Sequence, residues 1–103
     1  MNTSHGAEVH VQFRTAEEGG RTESISLNAS KYRPHLRVSC GQYLGVVFTR
    51  GPAEPVQPGG NANAMVVFVY EPNVNYEVLV VGTAFQVMEG AKVVANGHVL
   101  RRM

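Results

Sequence analysis

Hydrophobic and polar positions alternate with period two along most of the chain. Between Glu8 and Arg14, Val9, Val11 and Phe13 fall on one side, and Glu8, His10, Gln12 and Arg14 on the other. That is the pattern of a strand with one buried face. Glu17-Glu18-Gly19-Gly20 follows as a turn, because glycine enters positive φ at little cost. Ile25 and Leu27 predict a second short strand, Pro34 to Ser39 a third and Gln42 to Thr49 a fourth. Gly51 to Gly60 holds three prolines and three glycines and predicts a loop. Ala64 to Glu71 is a near-continuous apolar run of strand length and predicts a central strand, broken at Pro72 to Asn75. Tyr76 to Met88 and Lys92 to Arg101 predict the last long strands, joined by a hairpin at Glu89-Gly90-Ala91.

No window carries a sustained apolar stripe at helical spacing. Valine is the commonest residue, and its stiff χ1 favours strands. Short strands at intervals of about 8–12 residues indicate an all-β sandwich or barrel. With 103 residues the chain forms one domain, expected over residues 8–103, with residues 1–7 as a loose leader.

Composition narrows the function. Nine basic residues against eight acidic ones leave a net charge of +1, which excludes a uniformly basic nucleic-acid coat but not a local patch. Every acidic residue is Glu, so no Asp-x-Asp metal site exists. The single cysteine, Cys40, makes no internal disulfide, which fits a reducing, cytoplasmic setting. The first residues lack the basic and apolar segments of a signal peptide, and no apolar stretch approaches the roughly 20 residues of a membrane helix.

One segment stands out chemically. In an extended chain, Lys31, Arg33, His35 and Arg37 share a face, and Tyr32, Pro34, Leu36 and Val38 share the opposite one. Basic groups about 6.6 Å apart match the spacing of backbone phosphates. The same row also suits a solvated strand face whose like charges resist edge pairing. Pro34 lacks an N–H, so this strand begins there or lies at an edge. The turn before Arg21 offers Glu17 and Glu18 as ion-pair partners, or is simply solvated. Cys40 with His35 or His98 is the only nucleophile–base combination on offer, and nothing around Cys40 in sequence lowers its pKa. His5, His10, His35 and His98 show no zinc-type spacing, and Pro58-Gly59-Gly60-Asn61 is no phosphate loop. No catalytic residue, metal, cofactor or nucleotide is expected.

The segments together resemble a known family. Glu8-Val9-His10-Val11, the Glu18-Gly19-Gly20-Arg21 loop, Tyr32-Arg33-Pro34-His35, Gly45, Val56-Gln57-Pro58-Gly59-Gly60-Asn61 and the hairpin from Phe85 to Val99 follow the order of motifs in the C-terminal β-barrel domain of bacterial elongation factor Tu. The resemblance spans residues 8 to 101 and implies a closed antiparallel barrel of about six strands. It also implies contacts with the backbone of a tRNA stem and with translation-associated proteins. By motif, Arg33 and His35 fall beside that stem, as do Glu89 and Gly90 at the closing hairpin. The chain departs from the family in several places. It lacks the GTPase domain, lengthens the segments before Tyr32 and between Pro72 and Phe85, has Glu71 where relatives often carry a basic residue, and has Ala91, Lys92 and Ala95 in place of Gly, Arg and Gly. The implied function is a non-catalytic binding module for structured RNA such as tRNA, with Lys31, Arg33, His35, Arg37, Glu89 and Gly90 as its surface. The alternative is a protein–protein module that imitates or binds a translation factor or its partners, with Val74 and Tyr76 of the longer 73–84 segment as exposed anchors.

Overall fold

The alternating runs become six strands, seen in a computed structural model that describes residues 5–39 and 41–103. They are β1 (Gly6–Phe13), β2 (His35–Arg37), β3 (Tyr43–Arg50), β4 (Asn61–Phe68), β5 (Ala84–Glu89) and β6 (Lys92–Arg102). They close in the order β1-β4-β3-β2-β5-β6, every neighbouring pair antiparallel. The expected six-stranded barrel is therefore the observed fold. None of the described residues forms a helix, so none forms one long and apolar enough to cross a membrane.

Closure follows from the side-chain pattern. Val9, Val11 and Phe13 of β1, Val46 and Phe48 of β3, Ala64, Val66 and Phe68 of β4, and Phe85 and Val87 of β5 all join one buried cluster. Each buried Val or Phe side chain contributes about 1.5–3 kcal/mol, so a one-residue slip that turned a strand inside out would forfeit most of the fold's driving force. Three bulges bend the sheet into its tube, with the register shifting between Glu8 and Val9, between Phe48 and Arg50, and between Val87 and Met88.

The bulge between β1 and β6 has a consequence at one barrel end. Val9 faces Val99, but Glu8 faces Arg101 and Ala7 faces Arg102. The extra residue puts Arg101 outside, where its Nε donates to Glu8 at 2.9 Å, and carries Arg102 over the barrel mouth. The Arg102 guanidinium donates to the carbonyls of Tyr76 and Leu79 at 3.2 and 3.0 Å and lies 4.9 Å from the Phe68 ring centre.

Several sequence expectations need correction. The leader does not reach residue 7, because β1 begins at Gly6 and Ala7 is fully buried against β4. Ile25 and Leu27 make no strand. Ile25 forms a lone bridge with Val56, and Leu27 is buried in the core from a loop. Ala64 to Glu71 is shifted, since β4 starts at Asn61 and ends at Phe68; it is a central strand, paired with β1 and β3, whose buried positions alternate. β2 begins just after Pro34 but is no edge strand, because it pairs with both β3 and β5. The strand expected from Tyr76 to Met88 occupies only Ala84–Glu89. Residues 76–83 instead fold over the barrel end as a plug, with the Leu79 N–H donating to the Tyr76 carbonyl at 3.0 Å.

Tyr76 is the centre of that plug. It is 1% exposed, and its ring stacks on Phe68 with centres 4.6 Å apart. Its hydroxyl donates to the Gly45 carbonyl at 2.6 Å and accepts the Tyr70 N–H at 3.2 Å. The other end is closed by Tyr32, whose ring lies 5.5 Å from Phe48 and 6.5 Å from Phe13.

Candidate functional site

The basic row keeps the alternation read from sequence. Tyr32, Pro34 and Leu36 are buried, Lys31 and Arg33 are exposed, and His35 and Arg37 are half-buried. The row runs along the outer surface of β2, between β3 and β5. Tyr32 bridges Phe48, so the pairing with β3 continues upstream of the strand proper. On the other side, His35 faces Met88 and Arg37 faces Gln86. Lys31 and Arg33 lie on the segment just before β2, and Glu89 and Gly90 lie where β5 ends and turns. Of these residues, His35 and Arg37 on β2 and Glu89 on β5 lie on adjoining strands.

They are not equivalent. Among the described residues, Lys31 and Arg33 make no ion pair or side-chain hydrogen bond. Within the row they are the two cations free to meet a ligand. Arg37 is engaged: it donates to the Gln86 side chain at 3.0 Å and lies 5.6 Å from the Tyr43 ring centre, while its Nε is buried without an acceptor. His35, on the same strand, also packs against Tyr43, with ring centres 5.7 Å apart and planes inclined by 50°. Tyr43 therefore contacts two members of the row, with an exposed edge. Tyr70 covers Gly45 on the same outer surface. A Cβ at Gly45 would fall 2.3 Å from the Tyr70 ring, so only glycine leaves that ring its place. Tyr43, Gln86 and Tyr70 escaped sequence reasoning because they join the row only through cross-strand register.

Glu89 is tied to its own neighbours. A single carboxylate oxygen accepts both Arg21 Nη1 and the Tyr32 hydroxyl, each at 2.5 Å. Glu17 and Glu18 are not the partners of Arg21. Glu18 turns back to accept the Thr15 N–H at 2.9 Å. Burial, and then the bond to Glu89, raise the Tyr32 pKa well above the ordinary phenol value. For Arg21, partial burial pulls the pKa down, and the hydrogen bond and charge of Glu89 outweigh it, so the net shift is upward. The group clamps the 14–31 loop to the hairpin and leaves no uncompensated carboxylate there. Gly90 turns the hairpin at φ +62° and is exposed.

The anchors expected on the 73–84 segment are also reassigned. Tyr76 is buried and Val74 packs partly against the core. The exposed side chains are Val78, Val80 and Val81, at 48, 53 and 64%. A shallow pocket lined by Val38, Leu44, Asn75 and Val78 adjoins them. Cys40, the one nucleophile considered, lies outside the described residues. No protein-family model matches the chain.

Proposed function

We propose that this barrel is a non-catalytic binding module that takes structured RNA, such as a tRNA stem, along the outer face of β2. The observation that carries this reading is the pair of unpartnered cations, Lys31 and Arg33, in line with His35 and Arg37, which both pack against Tyr43. Free cations at strand spacing meet phosphates, and Tyr43 packs against both Arg37 and His35 beside them. The resemblance of Tyr32-Arg33-Pro34-His35 to the tRNA-facing segment of the elongation factor Tu barrel supports the choice of RNA, and with it a cytoplasmic role in translation.

With a net charge of +1, binding is weak and salt-sensitive. The test is titration of tRNA at low salt with wild type, Lys31→Ala/Arg33→Ala, and Arg101→Ala as a control on a different strand. The double variant is expected to lose about tenfold in affinity and one to two units of log–log salt slope, with the control unchanged. Absence of binding by wild type, or equal binding by the double variant, overturns the reading.

A second reading rests on Val78, Val80 and Val81. In it the exposed valines anchor a translation factor or one of its partners at the opposite barrel end. Val80→Asp/Val81→Asp then abolishes binding of such a protein and leaves tRNA affinity intact.

A further inference from the structure

We propose that His10 and His98 form a bidentate site for a divalent d-block cation of the zinc, nickel or copper class on the outer wall of the barrel. Sequence spacing conceals the pair, since the residues lie on the first and last strands. The register sets them directly opposite each other, with ring centres 5.6 Å apart and planes inclined by 41°. Two imidazoles sharing one tetrahedral ion, each bound at about 2.0–2.1 Å, have ring centres roughly 5–5.5 Å apart. A small χ rotation of exposed His98 closes the difference.

Asn63 supplies the second argument. It lies opposite His10 on the other side, on β4, and its Oδ1 is 2.7 Å from His10 Nδ1. An amide carbonyl oxygen that accepts from Nδ1–H orients the ring so that Nε2 is the nitrogen turned to a metal. Metal-bound histidines are oriented by the same kind of hydrogen bond from their other ring nitrogen. The charges nearest along the strands offset each other, because the Glu8 carboxylate two residues before His10 holds Arg101. Gln12 and Asn96 face each other on the next outward position, so the surroundings are polar and neutral. Two nitrogen ligands favour borderline metals over magnesium or calcium, which prefer oxygen. No cluster of three or more metal-ligating side chains occurs among the described residues, so the remaining coordination positions belong to water or to a group from another molecule. Binding is therefore exchangeable rather than structural.

The test uses the full chain with Cys40→Ser, which removes the competing thiol. Zinc chloride is titrated calorimetrically into this background and into His98→Gln, His10→Gln and Asn63→Ala versions, with magnesium chloride as the control ion. Circular dichroism checks that each variant is folded. One zinc per chain is expected, with affinity falling roughly tenfold or more in either histidine variant and about tenfold in Asn63→Ala. Substoichiometric copper(II) is expected to broaden NMR signals around residues 10, 63 and 98 first. Zinc binding unchanged in His98→Gln, copper broadening centred on His5 or His35, or no zinc binding at all would each show that the rings are only a cross-strand contact.

Discussion

At the scale of single residues, the decisive group is Glu89 with Arg21 and Tyr32. Its carboxylate is half-buried, and each of its two bonds is to a charged or strongly polar donor. Hydrogen bonds to a charged group contribute about 1.5–3 kcal/mol, so Glu89→Ala is expected to lower unfolding free energy by about 2–3 kcal/mol in urea, and Glu17→Ala by nearly nothing. The linkage to pH has a definite sign. A phenol whose folded pKa is raised stabilises fully below its unfolded value, about 10, and loses that contribution as pH rises past it. Wild-type stability should therefore fall above pH 10, more steeply than that of Tyr32→Phe, in urea melts at successive pH values. Sequence could not assign this group. Glu17 and Glu18 stand next to Arg21 along the chain, whereas Glu89 reaches it only because barrel closure draws the hairpin against the 14–31 loop. Local order in sequence says little about ion pairs in a fold dominated by non-local pairing.

At the scale of elements, strand alternation was legible and connections were not. β1, β3 and β6 lie within about two residues of the positions that Val9-x-Val11-x-Phe13 and its counterparts indicate, because one buried face enforces period two. The failure at Tyr76 to Met88 has a physical origin. Tyr76, Val78 and Val80 mimic alternation, yet the buried pair is Tyr76 and Leu79, the spacing of a turn. What holds them is the far end of the barrel: the Gly45 carbonyl, the Phe68 ring and Arg102. Tyr76→Phe keeps the ring stack and strands the Gly45 carbonyl, for an expected loss of about 1–3 kcal/mol by thermal or urea unfolding. Gly97 tests the inner wall. A Cβ there would sit 2.3 Å from the His10 carbonyl oxygen and 2.8 Å from the Phe85 ring. Backbone cannot yield cheaply, so Gly97→Ala is expected to cost about 1–3 kcal/mol, measured the same way.

At the scale of the whole molecule, closure removes every strand edge and leaves recognition to outward-facing side chains. The described surface is nearly balanced in charge, but the balance is local. Arg101 is held by Glu8 and Arg21 by Glu89, whereas among the described residues Lys31 and Arg33, just before β2, have no ion-pair partner, nor do Arg50 and Lys92 elsewhere. The basic face was readable from residue spacing, because extension alone aligns every second side chain. Its aromatic members were not, because Tyr43 and Tyr70 arrive from other parts of the chain. If two or three phosphates are met there, raising salt from about 50 to 200 mM should weaken tRNA binding roughly 10- to 40-fold. The most direct measurement is a two-dimensional amide NMR titration of the intact chain with tRNA at low salt. Shifts are expected to gather at Lys31, Arg33, His35, Arg37 and Tyr43, leaving Val78 to Val81 unmoved. Shifts confined to the valine loop, or none at all, would contradict an RNA-binding β2 face.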